Sequence, residues 1–180
     1  IINQNTGSIT SVTFNGVAAT LIDSQTNGAS ITYMYYLIAP DATTANVSVT
    51  RGTTTNFMFV YAYTFTGAKQ SAQPDGSNKG TASAVTSITG TVTTTADNCW
   101  CVMVAYADNA GMAPSTNSTE VSTPYGPYDA FIFMDNRTIA PITPAGSTTM
   151  KFTGTSGNLS YVMASVSPAL PDTSAFFSIL

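Results

Sequence analysis

The side chains able to do acid–base or nucleophilic chemistry are few: nine carboxylates, two thiols and no histidine in 180 residues. Without histidine the chain lacks the commonest general base, the usual partner of a nucleophilic serine or cysteine, and the commonest metal ligand. Asp23, Asp41, Asp75, Asp97, Asp108, Asp129, Asp135, Asp172 and Glu120 stand singly, mostly at expected turns. A glycosidase needs two facing carboxylates, and no spacing here pairs any two. Cys99 and Cys101 flank Trp100 in an extended run, which puts their side chains on one face about 7 Å apart, too far for an easy disulfide. They are expected as free, buried, packing thiols, and without His or further Cys they leave a metal site half built. The run from Pro74 to Asn78 has the acidic start of a calcium loop, but the twelfth position counted from Asp75 is Thr86, not the Glu such a loop ends on. The expectation is a protein with no catalytic residue, no metal and no cofactor. Two carboxylates converging in a cleft would be the sign of an enzyme.

The rest of the composition points the same way. Only 8% of the residues are charged, the net charge is −4, and 43% are hydrophobic. Five Lys plus Arg give no basic stripe to meet phosphates, so nucleic acid is not an expected partner. Polarity comes instead from 31 Thr and 19 Ser, a usage skewed toward strand formers. It suits an extracellular, secreted, cell-surface or virion-associated protein. The longest apolar runs, Tyr33 to Ala39 and Phe57 to Ala62, fall well short of the roughly 18 residues of a membrane span.

What must position these residues is a set of strands. Alternating and β-branched runs, punctuated by Gly, Pro, Asn and Asp, recur at short intervals, and no window holds a helical period. Strands are expected at Ile9 to Phe14, Val17 to Ile22, Ser30 to Ala39, Asn46 to Arg51, Asn56 to Thr66, Ala84 to Thr95, Cys99 to Ala107, Tyr128 to Met134, Thr148 to Thr153 and Leu159 to Val166. Asn15-Gly16 is a two-residue type I′ hairpin signal. Residues 69–80 and 108–126 read as long polar loops. Ten strands in one domain suit an all-β fold, a two-sheet antiparallel β-sandwich of jelly-roll type. The strand from Asn56 to Thr66 is apolar on both faces, with Phe57, Phe59, Tyr61, Tyr63 and Phe65 on one and Met58, Val60 and Ala62 on the other. Its aromatic face is expected in the core and its other face beneath a loop or a neighbouring subunit. A sugar-stacking platform is the alternative.

Four Asn-x-Ser/Thr sequons, at Asn46, Asn117, Asn136 and Asn158, are possible glycosylation sites, a number that chance predicts in so Ser- and Thr-rich a chain.

Val12-Thr13-Phe14-Asn15-Gly16-Val17-Ala18 and Tyr35-Tyr36-Leu37-Ile38-Ala39-Pro40 resemble the hairpin and the strand end of a family of jelly-roll-like β-sandwich domains found in secreted bacterial surface proteins and phage virion or fibre proteins. More loosely, Thr43 to Thr50 and Leu159 to Pro168 resemble later strands of that family. The resemblance implies a structural or adhesive module with no shared catalytic residues. Members carry an apolar strand just before the hairpin, and here the chain opens at Ile1 and Ile2 with most of that strand missing. After Pro168, where members usually finish, residues 169–180 add a Pro-containing connector and Ala175, Phe176, Phe177, Ser178, Ile179 and Leu180. Joined to the start, that tail reads as the missing strand. The chain is therefore expected as a sandwich domain over 1–168, lacking most of its first strand, and a connector with C-terminal strand over 169–180. The sandwich would be completed by strand exchange with a neighbouring subunit or repeat, the alternative being a monomer whose tail folds back into its own groove. The function expected is the structural subunit, or repeat, of an extracellular filament, a head-to-tail homopolymer that partners itself, with covalent or bound glycans as a second expected partner. A phage decoration or fibre module and a carbohydrate-binding domain are the alternatives.

Overall fold

The computed structural model describes residues 2–5, 7–28, 30–38, 40, 43–52, 58–108, 113–115, 119–122, 130–135 and 141–169. These form thirteen strands and no helix: β1 Ile2–Asn5, β2 Ile9–Phe14, β3 Val17–Ala18, β4 Thr20–Asn27, β5 Ser30–Tyr36, β6 Val47–Arg51, β7 Met58–Val60, β8 Gly76–Thr93, β9 Trp100–Ala107, β10 Ala113–Pro114, β11 Thr119–Ser122, β12 Ala130–Asp135 and β13 Ser147–Val166. Every ladder among them is antiparallel. The protein is all-β, as its alternation requires, and its strands pair in three sheets. One runs β4-β5-β1-β7, the second β10-β13-β9-β12-β11 with β8 also on β13, and the third β3-β2-β6.

The Asn15-Gly16 turn joins β2 to β3 with both residues at positive φ (49° and 78°), the conformation a type I′ turn demands. Where the expected boundaries fail, pairing partners are the reason. The loop expected over 69–80 ends at Gly76, because β13 offers β8 a partner along its whole length, from Ser147 opposite Thr93 to Ser165 opposite Gly76. The two strands expected at Thr148 to Thr153 and Leu159 to Val166 are one strand, shifted in register around Gly157. That irregularity changes which residues face inward. Met150 and Phe152 before it and Leu159, Tyr161 and Met163 after it all join one buried cluster with Met103 of β9. Even-numbered residues give way to odd ones because an irregular stretch resets the two-residue period. The ribbon of β8 and β13 thus packs one half against the other. Gly80 and Gly90 flank the ring of Tyr161, which a Cβ at either would meet at 2.7 and 2.8 Å.

β10 and β11 lie where a continuous loop over 108–126 is expected. The strand expected over Asn56 to Thr66 is a strand only at Met58–Val60, with residues 53–57 outside the described ones. Its ladder ends where its neighbour's does: Ile2, the first described residue of β1, stands opposite Val60 of β7 and Tyr33 of β5.

Candidate functional site

β1 pairs with β5 over four described residues and with β7 over three, and the chain on either flank continues beyond Ile2. From β5 the chain continues through Leu37 and Ile38 to Pro40, and from β7 through residues 61–65 to a turn at Thr66 and Gly67. Between these two flanks the structure holds a groove of about 340 Å³. Tyr36, Leu37 and Ile38 line one wall, Tyr61, Tyr63 and Phe65 the other, and Val102, Ala164 and Val166 from β9 and β13 the floor. Val12 and Phe14 of β2 and Val47 of β6 close it from the opposite side.

The alternation along each flank explains this lining. Tyr63 and Phe65 pack against a buried cluster of Met34, Val102, Val104, Val162 and Ala164, while Met58 packs with Val12 and Tyr33 on the other face. Both faces of this aromatic segment therefore meet apolar side chains, and Phe59, Tyr61, Tyr63 and Phe65 are half-buried. Val60 stays 38% exposed at the groove's edge. Tyr33 and Tyr35 stack at 6.3 Å between ring centroids on the β2 side. Desolvation, followed by the neighbouring Tyr33, pushes the Tyr35 hydroxyl above its ordinary range.

One end of the groove is tied to the end of β13. Pro168 pairs with Ala68, the Ala169 amide donates to the Gly67 carbonyl at 2.7 Å, and the Lys69 amide donates to the Ser167 carbonyl at 3.0 Å. The Gln73 amide group donates to the Ser167 carbonyl at 2.8 Å and accepts from the Ser167 amide at 3.2 Å. The chain therefore passes out of the described fold at Ala169, beside Gly67.

Of the residues expected at a subunit interface, Ile2 lies in β1 at the inner end of this groove. Ile1, Ala175, Phe176, Phe177, Ser178, Ile179 and Leu180 lie outside the described residues. Of the sequons, Asn46 is exposed, and Asn117 and Asn136 lie outside the described residues. The Asn158 side-chain nitrogen, the atom a glycan would take, donates to Asp108 Oδ2 at 2.6 Å, and Ser160 of the same sequon is fully buried. Glycan transfer at Asn158 would have to break that contact in the folded chain.

Among the described residues, Asp75 and the two thiols stand together without forming a reactive centre. Asp75, just before β8, accepts from the Thr95 amide at 2.8 Å, from the Thr95 hydroxyl, and from Ser165 and Cys99 at 3.5 Å each. Burial raises this carboxyl, but the hydrogen bonds, those of Thr95 foremost, outweigh it and hold the group below its usual range. Both cysteines are free and buried. Desolvation, reinforced by the negative Asp75, pushes the Cys99 thiol up to about 11, and desolvation pushes Cys101 up to about 12. A carboxylate beside a thiol opposes the thiolate that nucleophilic chemistry needs. Among the described residues no three His, Cys, Asp or Glu side chains gather to hold a metal ion.

These thiols support a direct expectation. Near pH 8 a thiol of pKa about 11 is only ~0.1% thiolate, so native protein should react with Ellman's reagent more than about a hundredfold slower than protein unfolded in denaturant. Because the folded state holds protons that the unfolded state releases near pH 9, the thiols' contribution to stability is complete below that pH. It is lost as pH rises through about 11 to 12. A denaturation midpoint that stays constant from pH 8 to 11 in wild type would contradict this.

No protein-family model, curated protein or solved structure matches the chain, so the groove and its surroundings are the ground on which its function is read.

Proposed function

We propose that this chain is the structural subunit, or repeat, of an extracellular filament, built head to tail by strand complementation. In this reading the sheets stack as a jelly-roll-like sandwich, and residues 175–180 of one copy lie in the groove of the next. The observation that carries it is the coincidence of an apolar groove with the place where β1 would run on: directly beyond Ile2, between the flanks of β5 and β7. An extended segment there would find apolar walls on both faces, the arrangement in which alternate side chains give a strand-addition site its specificity. Ala175 to Leu180 is apolar at five of six positions, and such a segment left in water would be an exposed hydrophobic patch.

The low charge and abundance of Thr and Ser suit a secreted or virion-borne particle, and exposed Asn46 is a place where its surface could carry glycan. The reading assigns the chain no catalytic step. A contact that repeats head to tail and does not close on itself propagates as a fibre.

Deleting Ser174 to Leu180 tests the proposal. The purified full chain should form filaments in negative-stain images, and the truncated chain should remain as single particles under the same conditions. Filaments of unchanged length and abundance from the truncated chain would refute the tail's role.

A further inference from the structure

We propose that the tail of the donor copy enters the groove in one register, with Ser178 opposite Thr64, and that this polar pair and the apolar pairs around it select the partner. The inference rests on the reading that the groove takes residues 175–180 of a second copy. The register follows from β1. Ile2 stands opposite Tyr33 and Val60, Asn3 opposite Thr32 and Phe59, and Gln4 opposite Ile31 and Met58. In the proposed arrangement the first position beyond Ile2 goes to the acceptor's own residue 1, and the same register continued outward then leaves six positions for the tail, from the one facing Tyr35 and Ala62 to the one facing Pro40 and Gly67. Pro40, which has no amide hydrogen to give a ladder, and Gly67, at a turn with φ of 70°, bound the groove at that end. Six positions meet a six-residue apolar segment.

Filling them in order puts Leu180 against Ala62, a large side chain against a small one. Ile179 then falls between Tyr36 and Tyr63, and Phe177 between Ile38 and Phe65. Tyr63 and Phe65 lie on the face that packs with Met34, Val102 and Ala164, so Ile179 and Phe177 point into that cluster. Ser178, the polar member of the segment, falls on the other face between Leu37 and Thr64, which is exposed and is the one aliphatic hydroxyl of residues 61–65, while Phe176 and Leu180 share that face with it toward Val12, Phe14 and Val47. A shift by one residue takes Phe177 out of the cluster and puts the Ser178 hydroxyl into it without a polar neighbour, because the side-chain period of a strand is two. A shift by two brings Phe176 or Leu180 opposite Thr64 in place of Ser178. Register is thus specified by composition on both faces.

Cross-linking tests this in assembled full-length protein. Thr64→Cys and Ser178→Cys are near-isosteric exchanges, and each double variant is checked for filaments by negative stain before mild oxidation, quenching of free thiols and non-reducing electrophoresis. The chain carrying Ser178→Cys with Thr64→Cys should give a ladder of covalently linked chains. Ser178→Cys with Ala62→Cys, or with Thr66→Cys, should give at least tenfold less. A ladder preferring Ala62→Cys or Thr66→Cys overturns the register while leaving the tail in a neighbour's groove. Linked monomers without a ladder place the tail in its own groove and overturn the intermolecular reading instead. Intact filaments with no link from any of the three pairs overturn both.

Discussion

Phe177→Asp is expected to abolish assembly, leaving single particles at concentrations where the wild-type chain forms filaments, whereas Ser178→Asp should reduce assembly by no more than about tenfold. Burying a Phe side chain contributes about 1.5–3 kcal/mol, and an unpaired carboxylate among apolar side chains adds several kcal/mol of opposing desolvation. Together these exceed ~4 kcal/mol, about a thousandfold in affinity. Position 178 lies beside exposed Thr64 in the proposed register, so a carboxylate there keeps more of its water than one at position 177, which points into the buried cluster. Sedimentation velocity of the two variants reads the difference directly. Equal loss in both would mean that the tail does not turn residues 177 and 178 to opposite faces, and the strand reading of residues 175–180 would fall with it.

Phe152→Ala should be the most costly single truncation within the described fold, about 3–5 kcal/mol. Phe152 is fully buried and belongs to the cluster that binds the first half of β13 to its second half and to β9, through Leu159, Tyr161, Met163 and Met103. With a domain stability of about 5–15 kcal/mol, the variant would lose about a third of it or more and melt roughly 10 °C lower or more. Thr89→Ala serves as the control. It lies on exposed backbone of β8 opposite Lys151, one residue from the Phe152 pairing, and should change stability by less than about 0.5 kcal/mol. Chemical denaturation of the two proteins checks the pair. A Phe152→Ala variant within 1 kcal/mol of wild type would show that the two halves of the ribbon do not depend on this cluster for their packing.

The loss in each case is set by which face a residue occupies, and that is where reading the chain alone succeeds or stops. Alternation and β-branching were enough to place β2, β5, β6 and β9 to within three residues, because each is a run whose own pattern satisfies one buried face. Asn15-Gly16 specified its turn by itself, since few other residue pairs accept two positive φ angles in succession.

Other features depended on partners distant in the chain. Gly76 to Ser83 is rich in Gly, Ser and Asn and reads as loop, yet it is strand because residues 159–165 of β13 pair with it along its length. Ile2 to Asn5, polar and short, is strand because it lies between β5 and β7. The switch of inward parity between Phe152 and Leu159 arises from register shifts that involve the opposing strand, which no linear period encodes. The groove is the furthest from legible: its walls and floor come from β2, β5, the residues after β7, β9 and β13, segments up to about 150 positions apart. The tail's composition suggested a missing strand, but only the fold determined that the space beyond Ile2 is lined with apolar side chains on both faces, because burial is decided by what a side chain meets across the sheet and not by its neighbours along the chain.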